Sequence, residues 1–365
     1  MTNVKKLRVA IVHDWLTGGG AELVVEQLHA MFPEAPIYTS YCTDEWRERL
    51  DGKVVTGWLQ PFGKIRKFLP PLRIIWFTQL KFDGYDVVIS SSGAEAKGIH
   101  VPTGTVHINY CHSPTHYYWM RYDQYLKNPG FGKLDWLARW GLKTLVGPLR
   151  RWDFRAAKRP DIMIANSSHT QAMIKKYYKR DSVVVHPPVD VDRFGFKKDE
   201  PRHGYVVVGR QTPYKRIDLA VEACTQLGVP LVVIGNGPDH KRLEKLAGRS
   251  VTFLTNTSDG GVAEHFRTAL ACLFPGIDDF GITPVEAMAS GTPVIAYKAG
   301  GALDYIVPGK TGEFFDKPTT ASLVATLETF KPSKYSPDDI KASAEQFSAK
   351  NFRENIHKVL TDTLQ

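Results

Sequence analysis

Two acids, Asp278 and Glu286, sit eight positions apart in the stretch FPGIDDFGITPVEAMASG, with no basic residue between them. The apolar run LACLFP ahead of them reads as a strand, so both follow a strand's carboxyl end, where open α/β sheets bind ligands. Thr283, Pro284 and Glu286 also have the spacing of a capping box: Thr at the N-cap, Pro at the first helical position, Glu at the third. Glu286 can therefore reach back to the Thr283 amide or bind a ligand. Asp278 precedes that cap by five positions and has no capping task; an acid of this kind more often accepts hydrogen bonds from hydroxyls.

Three further clusters follow predicted strands in the same way. Gly18, Gly19 and Gly20 join LRVAIVHDW to the helical pattern AELVVEQLHAMF. Glycines let backbone amides approach a phosphate closely, although a bare triplet also serves as a tight turn. Arg210 and Lys215 leave YVVVG on one loop, GRQTPYKR. Such a pair can clamp a diphosphate, the arginine by its fork and the lysine as a point charge, or can simply be a solvated loop pair. His112 ends TVHINYC and His13 ends the first strand, and each could be structural or face a ligand. No HExxH, no GxSxG and no cluster of metal ligands occurs, so metal-dependent and serine hydrolysis lack support. Taken together, amides and cations suit a diphosphate, acids suit sugar hydroxyls, and protein charge takes the place of a divalent ion.

The elements that must position these groups come in two series. YDVVISSS, TVHINYCHS, DIMIANSS and SVVVHPP follow the first strand, and GYVVVGR, VPLVVIGN, VTFLTN, LACLFP and TPVIAY form a second set, with helical stretches such as RIDLAVEACTQLG and PDHKRLEKLAG between them. Alternation of this kind predicts parallel sheets with helices on both faces. A chain of 365 residues is long for one core and comfortable for two domains. The joint is expected in HPPVDVDRFGFKKDEPRHG, rich in Pro, Gly and charge.

The net charge of +9 is unevenly placed. Residues 1–190 hold 26 basic and 17 acidic side chains, and residues 191–365 hold 21 of each, so the excess lies in the first half. Between positions 52 and 82 come Lys53, Lys64, Arg66, Lys67, Arg73 and Lys81 with no acid, interleaved with Phe62, Ile65, Phe68, Leu69, Leu72, Ile74, Ile75, Trp76 and Phe77. Basic plus bulky apolar residues suit an anionic membrane surface. Nucleic acid, or a solvated helix packing its apolar side inward, are the rival readings. No apolar run is long enough to span a bilayer, and MTNVKKLRVAIVHDW lacks a secretory leader's h-region and cleavage site. Cys42, Cys111, Cys224 and Cys272 show no framework spacing and are expected reduced, in the cytosol.

The ordered motifs HDWLTGGGAE, YDVVISSSGAEAKG, YCHSPTHYYW, RRWDFRAA, IANSSHT, HPPVDVDRF, VVVGRQTPYKRIDLAVEA, VIGNGP, DDFGITPVEAMASGTPVIAYKAGGALD and TGEFF extend over nearly the whole chain. Through them the sequence resembles the retaining family 4 glycosyltransferases of the GT-B fold, and among these the WbaZ-type O-antigen mannosyltransferases. The resemblance implies an α/β protein of two doubly wound Rossmann-like domains facing across a cleft: an acceptor domain over 1–188, a nucleotide-sugar donor domain over 189–345, and a helix over 346–365 returning to the first. It implies that Arg210 and Lys215 hold the donor diphosphate, with Gly18–Gly20 against the phosphates. Glu286 binds the ribose and His112 orients the donor sugar. Asp278, with the amides of Phe280, Gly281 and Ile282, binds sugar hydroxyls. The implied reaction is metal-independent, retaining hexosyl transfer, with mannose from GDP-mannose, onto a polyprenyl-diphosphate-linked saccharide for O-antigen or other surface polysaccharide. Its place is the cytoplasmic face of the cell membrane, which residues 52–82 would meet; no cofactor and no nucleic-acid partner is expected. A UDP-sugar transferase or a GT-B nucleotide-sugar epimerase is the alternative. Two departures bear on the donor: the family's acidic motif usually begins with Glu where this chain has Asp278, and its base loop usually has Gly where this chain has Thr255.

Overall fold

A computed structural model describes residues 7–127, 129, 132–195 and 200–364, without the side chains at 64, 66–68 and 133. Its contacts divide the chain into two compact units, Met1–Pro187 with Phe352–Gln365, and Pro188–Asn351. The C-terminal return thus begins at Phe352, and 346–351 stay with the second unit.

The first unit is built on β1 (Val9–His13), β2 (Ile37–Thr39), β3 (Val54–Val55), β4 (Val87–Ser92), β5 (Val106–Cys111), β6 (Ile162–Ala165) and β7 (Val183–Val184). They form one parallel sheet in the order β3-β2-β1-β4-β5-β6-β7, with Val9 opposite Val87 and His13 opposite Ser91. β1 and β4 are buried at every position, as a sheet covered on both faces requires. Ile11, Val87, Ile89 and Ile108 pack with the helix Gly20–Met31 and with Phe352, Ile356 and Leu360 of the helix Ala349–Leu364. Ala10, Val12 and Val88 face the other way, onto Trp76 and Phe77 of the helix Pro70–Gln79.

The second unit carries β8 (Tyr205–Val208), β9 (Leu231–Ile234), β10 (Val251–Leu254), β11 (Ala271–Phe274), β12 (Val294–Tyr297) and β13 (Gly312–Phe315), parallel and ordered β10-β9-β8-β11-β12-β13. Val206, Cys272, Phe274, Val294 and Ala296 enter one core, and Val207, Ala271, Leu273 and Ile295 the other, the alternation a strand's period of two demands. Both folds are two-sided Rossmann-like α/β sheets. The strands β2, β3 and β13 escaped the sequence reading because IYT, the VV between Lys53 and Thr56, and GEFF stand in no continuous apolar run of the kind that marks the others.

Strand order reverses direction between β1 and β4 in the first sheet and between β8 and β11 in the second. Such a reversal splays the flanking loops apart and opens a crevice at the strands' carboxyl ends.

Candidate active site

In the second unit, the loops that leave β8 and β11 at the reversal carry Arg210 and Lys215 on one side and Asp278 on the other. Lys215 Nζ donates to Asp278 Oδ2, joining positions 63 apart in sequence. The expected sugar acid and one expected phosphate cation therefore neutralise each other here, and Asp278 has a partner that its sequence neighbours do not reveal. Arg210, on the same loop as Lys215, is exposed. The loop is held by buried Gln211, whose side chain donates to the Gly235 carbonyl (2.7 Å) and meets His240 Nδ1 (2.6 Å).

The segment 278–282 is braced from behind. The Gly301 amide donates to the Asp278 carbonyl (2.9 Å), and Tyr305 Oη donates to the Phe280 carbonyl (3.1 Å). A Cβ on Gly301 would stand 2.3 Å from the Phe280 Cα, and one on Gly300 2.6 Å from the Asp278 carbonyl oxygen. Two glycines of KAGGALD are thus required for close backbone approach, a role that their own neighbours in sequence do not disclose.

The helix after this loop runs Ile282–Ala289, with Gly281 at its N-cap at φ 90° and no side-chain cap. This corrects the capping box. Thr283 is already inside the helix and Glu286 is too far along it to reach back, while Pro284 still falls in the first turn, where amides lack helical acceptors. Glu286 Oε1 instead accepts from Arg193 Nη2 (3.3 Å), 93 positions away, and Arg193 Nη1 also donates to Asp259 (2.8 Å). Burial pushes the Glu286 carboxyl up to about 7, with Arg193 opposing and Asp259 and Asp190 reinforcing. Glu286 meets only one arm of Arg193, and in its ionised form it can accept from neighbouring hydroxyls. Arg193 was read as part of the linker, and only the fold brings it to Glu286.

In the first unit, the Gly18–Gly20 turn follows β1 at the other reversal. Gly18 adopts φ 98°, which favours glycine. The Thr17 and Gly18 amides donate to Glu22 Oε1 (3.2 and 3.1 Å), so the loop's anion-seeking amides hold a buried carboxylate from the next helical turn. His112 Nε2 lies 2.7 Å from Ser91 Oγ, and His13 Nδ1 donates to the Ser91 carbonyl (2.7 Å), so one serine sets both imidazoles.

Behind them four of the quoted motifs meet in a buried ionic network, Asp14 coming from HDWLTGGGAE. Asp14 Oδ2 and Oδ1 accept from the amides of Gly93, Ala94 and Ala96 (2.8, 2.9 and 2.8 Å). Lys97 of the same loop pairs with Asp153 (2.6 Å), and both are fully buried. Burial opposes the Lys97 charge, but Asp153 outweighs it and holds the ammonium above its ordinary range. Asp153 also accepts from Thr115, Trp119 and Tyr178 (2.9, 2.7 and 2.8 Å). Glu95 takes both arms of Arg73 (2.8 and 3.0 Å) and the Tyr117 hydroxyl (2.7 Å). SSSGAEAKG, YCHSPTHYYW and RRWDFRAA are thus one structural unit that fixes the loop bearing His112. Arg73, counted on sequence among the surface cations of 52–82, is a core residue, and Lys53 is engaged by Glu34 (2.8 Å). The side chains of Lys64, Arg66, Lys67 and Phe68 lie outside the described residues. Among the described residues no group of three or more His, Cys, Asp or Glu could hold a metal ion, and no helix is long and apolar enough to cross a membrane.

Two Rossmann-like units with charged loops at their strand reversals define the class of the GT-B glycosyltransferases. Residues 18–193 match Glycosyltransferase Family 4 and residues 188–347 match Glycosyl transferases group 1; the chain is a hexosyltransferase of the GT-B fold. It is similar to the alpha-1,3/1,6-mannosyltransferase alg2 of Schizosaccharomyces pombe, 25% identical over 85% of this chain and 71% of that one. The human ALG2 mannosyltransferase is 27% identical over 70% of this chain and 67% of its own. Among solved structures, Anabaena HepE in complex with UDP and glucose has the same fold, with a TM-score of 0.69 at 16% identity over 97% of this chain and 99% of that one.

Proposed function

We propose that the protein transfers a hexose, mannose from GDP-mannose, with retention, onto a polyprenyl-diphosphate-linked saccharide of O-antigen or another surface polysaccharide. The observation that carries the donor half is the pairing at the second reversal: Lys215 with Asp278, and Arg193 with Glu286, the acids and cations a nucleotide sugar calls for. Likeness to two mannosyltransferases supports the sugar.

Arg210 and Lys215 take the diphosphate, which releases Asp278 to accept from the sugar hydroxyls together with the amides of Phe280, Gly281 and Ile282. Glu286 accepts from the ribose hydroxyls. His112 orients the sugar, and the Gly18–Gly20 turn meets the phosphates. The bond from the anomeric carbon to the diphosphate oxygen breaks, and the acceptor oxygen bonds to that carbon from the same face. The acceptor's proton passes to the departing diphosphate. Arg210, Lys215 and the helix-terminal amides stabilise the charge that develops there, and domain closure excludes water. The site of action is the cytoplasmic face of the membrane, with residues 52–82 toward anionic lipid.

A UDP-sugar donor is the second reading. Thr255 in the base loop leaves the base open, and the HepE complex with UDP and glucose is what favours this reading. Thermal unfolding against GDP, UDP, ADP, CMP and their sugars decides. A ligand at about 100 times its dissociation constant adds roughly 2.7 kcal/mol. Shifts with GDP and GDP-mannose alone support the proposal, and shifts with UDP species alone discard mannose as donor. Product analysis separates transfer from epimerisation of the free nucleotide sugar.

A further inference from the structure

We propose that the helix Asp135–Ala156 of the first unit is a membrane-interface anchor, its tryptophan-bearing end among acyl chains and its arginine-bearing end at anionic headgroups. Only Asp153 and Ala156 of this helix are buried. Before them Trp136 is 66% exposed and Trp140 63%, with Leu134, Leu137 and Leu145 also exposed. Trp136 and Trp140 share one face of the helix, and folded soluble chains seldom leave two such rings side by side in water unless something covers them.

Charge and order along the helix identify the occupant. At about 100° per residue, Trp136, Trp140, Lys143, Gly147 and Arg151 fall on one stripe, with Arg155 beside it. The stripe passes from aromatic to cationic over roughly 22 Å, at about 1.5 Å per residue. Its two acids are engaged: Asp135 lies 3.7 Å from Arg139, and Asp153 is buried on Lys97. Lys143, Arg151 and Arg155 are exposed. Arg150, Arg151 and Arg155 border a shallow pocket of about 260 Å³ with Trp119 and Phe154. Arg150 is fixed there, its guanidinium 5.3 Å from the Trp119 ring and 4.7 Å from Tyr122, with Nε donating to the Tyr118 carbonyl (2.5 Å). Tryptophan prefers the interface between headgroup and acyl chain, and arginine the headgroups. A second copy packed in parallel on the stripe would set like charges together. The helix is not long and apolar enough to cross a bilayer, so it is assigned to the interface.

The inference adds an anchor separate from residues 52–82 and does not depend on which donor is used. The experiment is sedimentation of the full chain, without nucleotide, with phosphatidylglycerol–phosphatidylethanolamine vesicles and with phosphatidylcholine vesicles. Trp136→Ser with Trp140→Ser is expected to lower partitioning by about tenfold or more. In the parent chain, bromine in the acyl chains quenches tryptophan emission, and this quenching falls in the double variant. Arg151→Gln with Arg155→Gln is expected to weaken binding to the anionic vesicles only, which serves if the tryptophan variant fails to fold. Equal binding by parent and tryptophan variant, or no sedimentation of the parent, overturns the inference. So does a loss seen only with Lys64→Gln, Arg66→Gln and Lys67→Gln, which assigns the contact to 52–82. A parent dimer that becomes monomeric in the tryptophan variant assigns the stripe to a second copy and also overturns it.

Discussion

Replacing Glu286 by Gln removes one titration and leaves the shape of the site intact. In the folded protein this carboxyl is pushed from 4.5 up to about 7, first by burial. The folded state therefore binds the proton more tightly than the unfolded chain, and its contribution to stability is complete below pH 4.5 and lost as pH rises toward 7. The difference corresponds to roughly 3 kcal/mol. Glu286→Gln lacks this loss, and Arg193 keeps Asp259 at 2.8 Å, so no buried charge is stranded. Relative to the variant, the parent is expected to lose roughly 3 kcal/mol between pH 4 and pH 8, or roughly 6–12 °C in the unfolding midpoint of the second unit. Thermal unfolding of both chains across that range, without nucleotide, reads the difference. If Glu286 binds the ribose as proposed, donor binding runs the other way: the ionised carboxylate is the better acceptor for ribose hydroxyls, so parent affinity is expected to fall as pH drops below about 7. The variant, with one hydrogen bond to a charged group gone, binds roughly ten- to a hundredfold more weakly at pH 8. Parallel unfolding midpoints for the two chains at every pH would refute the argument that burial governs this group.

The remaining expectations use the same logic. Lys97→Met strands Asp153 in the core, and chemical denaturation should report a loss of about 3–5 kcal/mol. Gly301→Ala places a Cβ 2.3 Å from the Phe280 Cα, so the segment 278–282 must move; we expect a stability loss of about 1–3 kcal/mol and a larger loss of donor-induced thermal shift. Gly141→Ala is the contrasting case, since its Cβ meets nothing within 4 Å in a helix interior and no proline directly follows it, and it should stabilise by about 0.5–1 kcal/mol.

The sheets were legible because parallel strands buried on both faces read as short continuous apolar runs: VAIVH, VVISSS and ACLF each name themselves. The placement of Arg210, Lys215, Asp278 and His112 just past strands was legible for a related reason, since they follow such runs, and strand carboxyl ends are where α/β ligands bind. The capping box was misread because Thr-Pro-Val-Glu suits a helix starting at either Ile282 or Pro284, and the left-handed turn at Gly281 selects the earlier start. Arg73 was misread because its sequence neighbours are cations and apolar residues, while its partner Glu95 lies 22 positions on.

By itself the sequence determined what is local: which segments are strands or helices, which residue types end them, and where charge accumulates. It could not determine partnership. Lys215 meets Asp278, Arg193 meets Glu286 and Asp259, Glu22 fills the glycine turn, and Lys97 meets Asp153 under the histidine loop. Each pairing except that of Glu22 joins residues more than fifty positions apart; that of Lys215 with Asp278 exists because strand order reverses between β8 and β11, and the others because parallel strands and their crossover helices pack side by side. Strand order is a property of packed sheets, whose free energy depends on contacts that no single stretch of chain contains. Tertiary structure therefore decided which charges are neutralised in the core and which remain at the carboxyl ends to meet a donor.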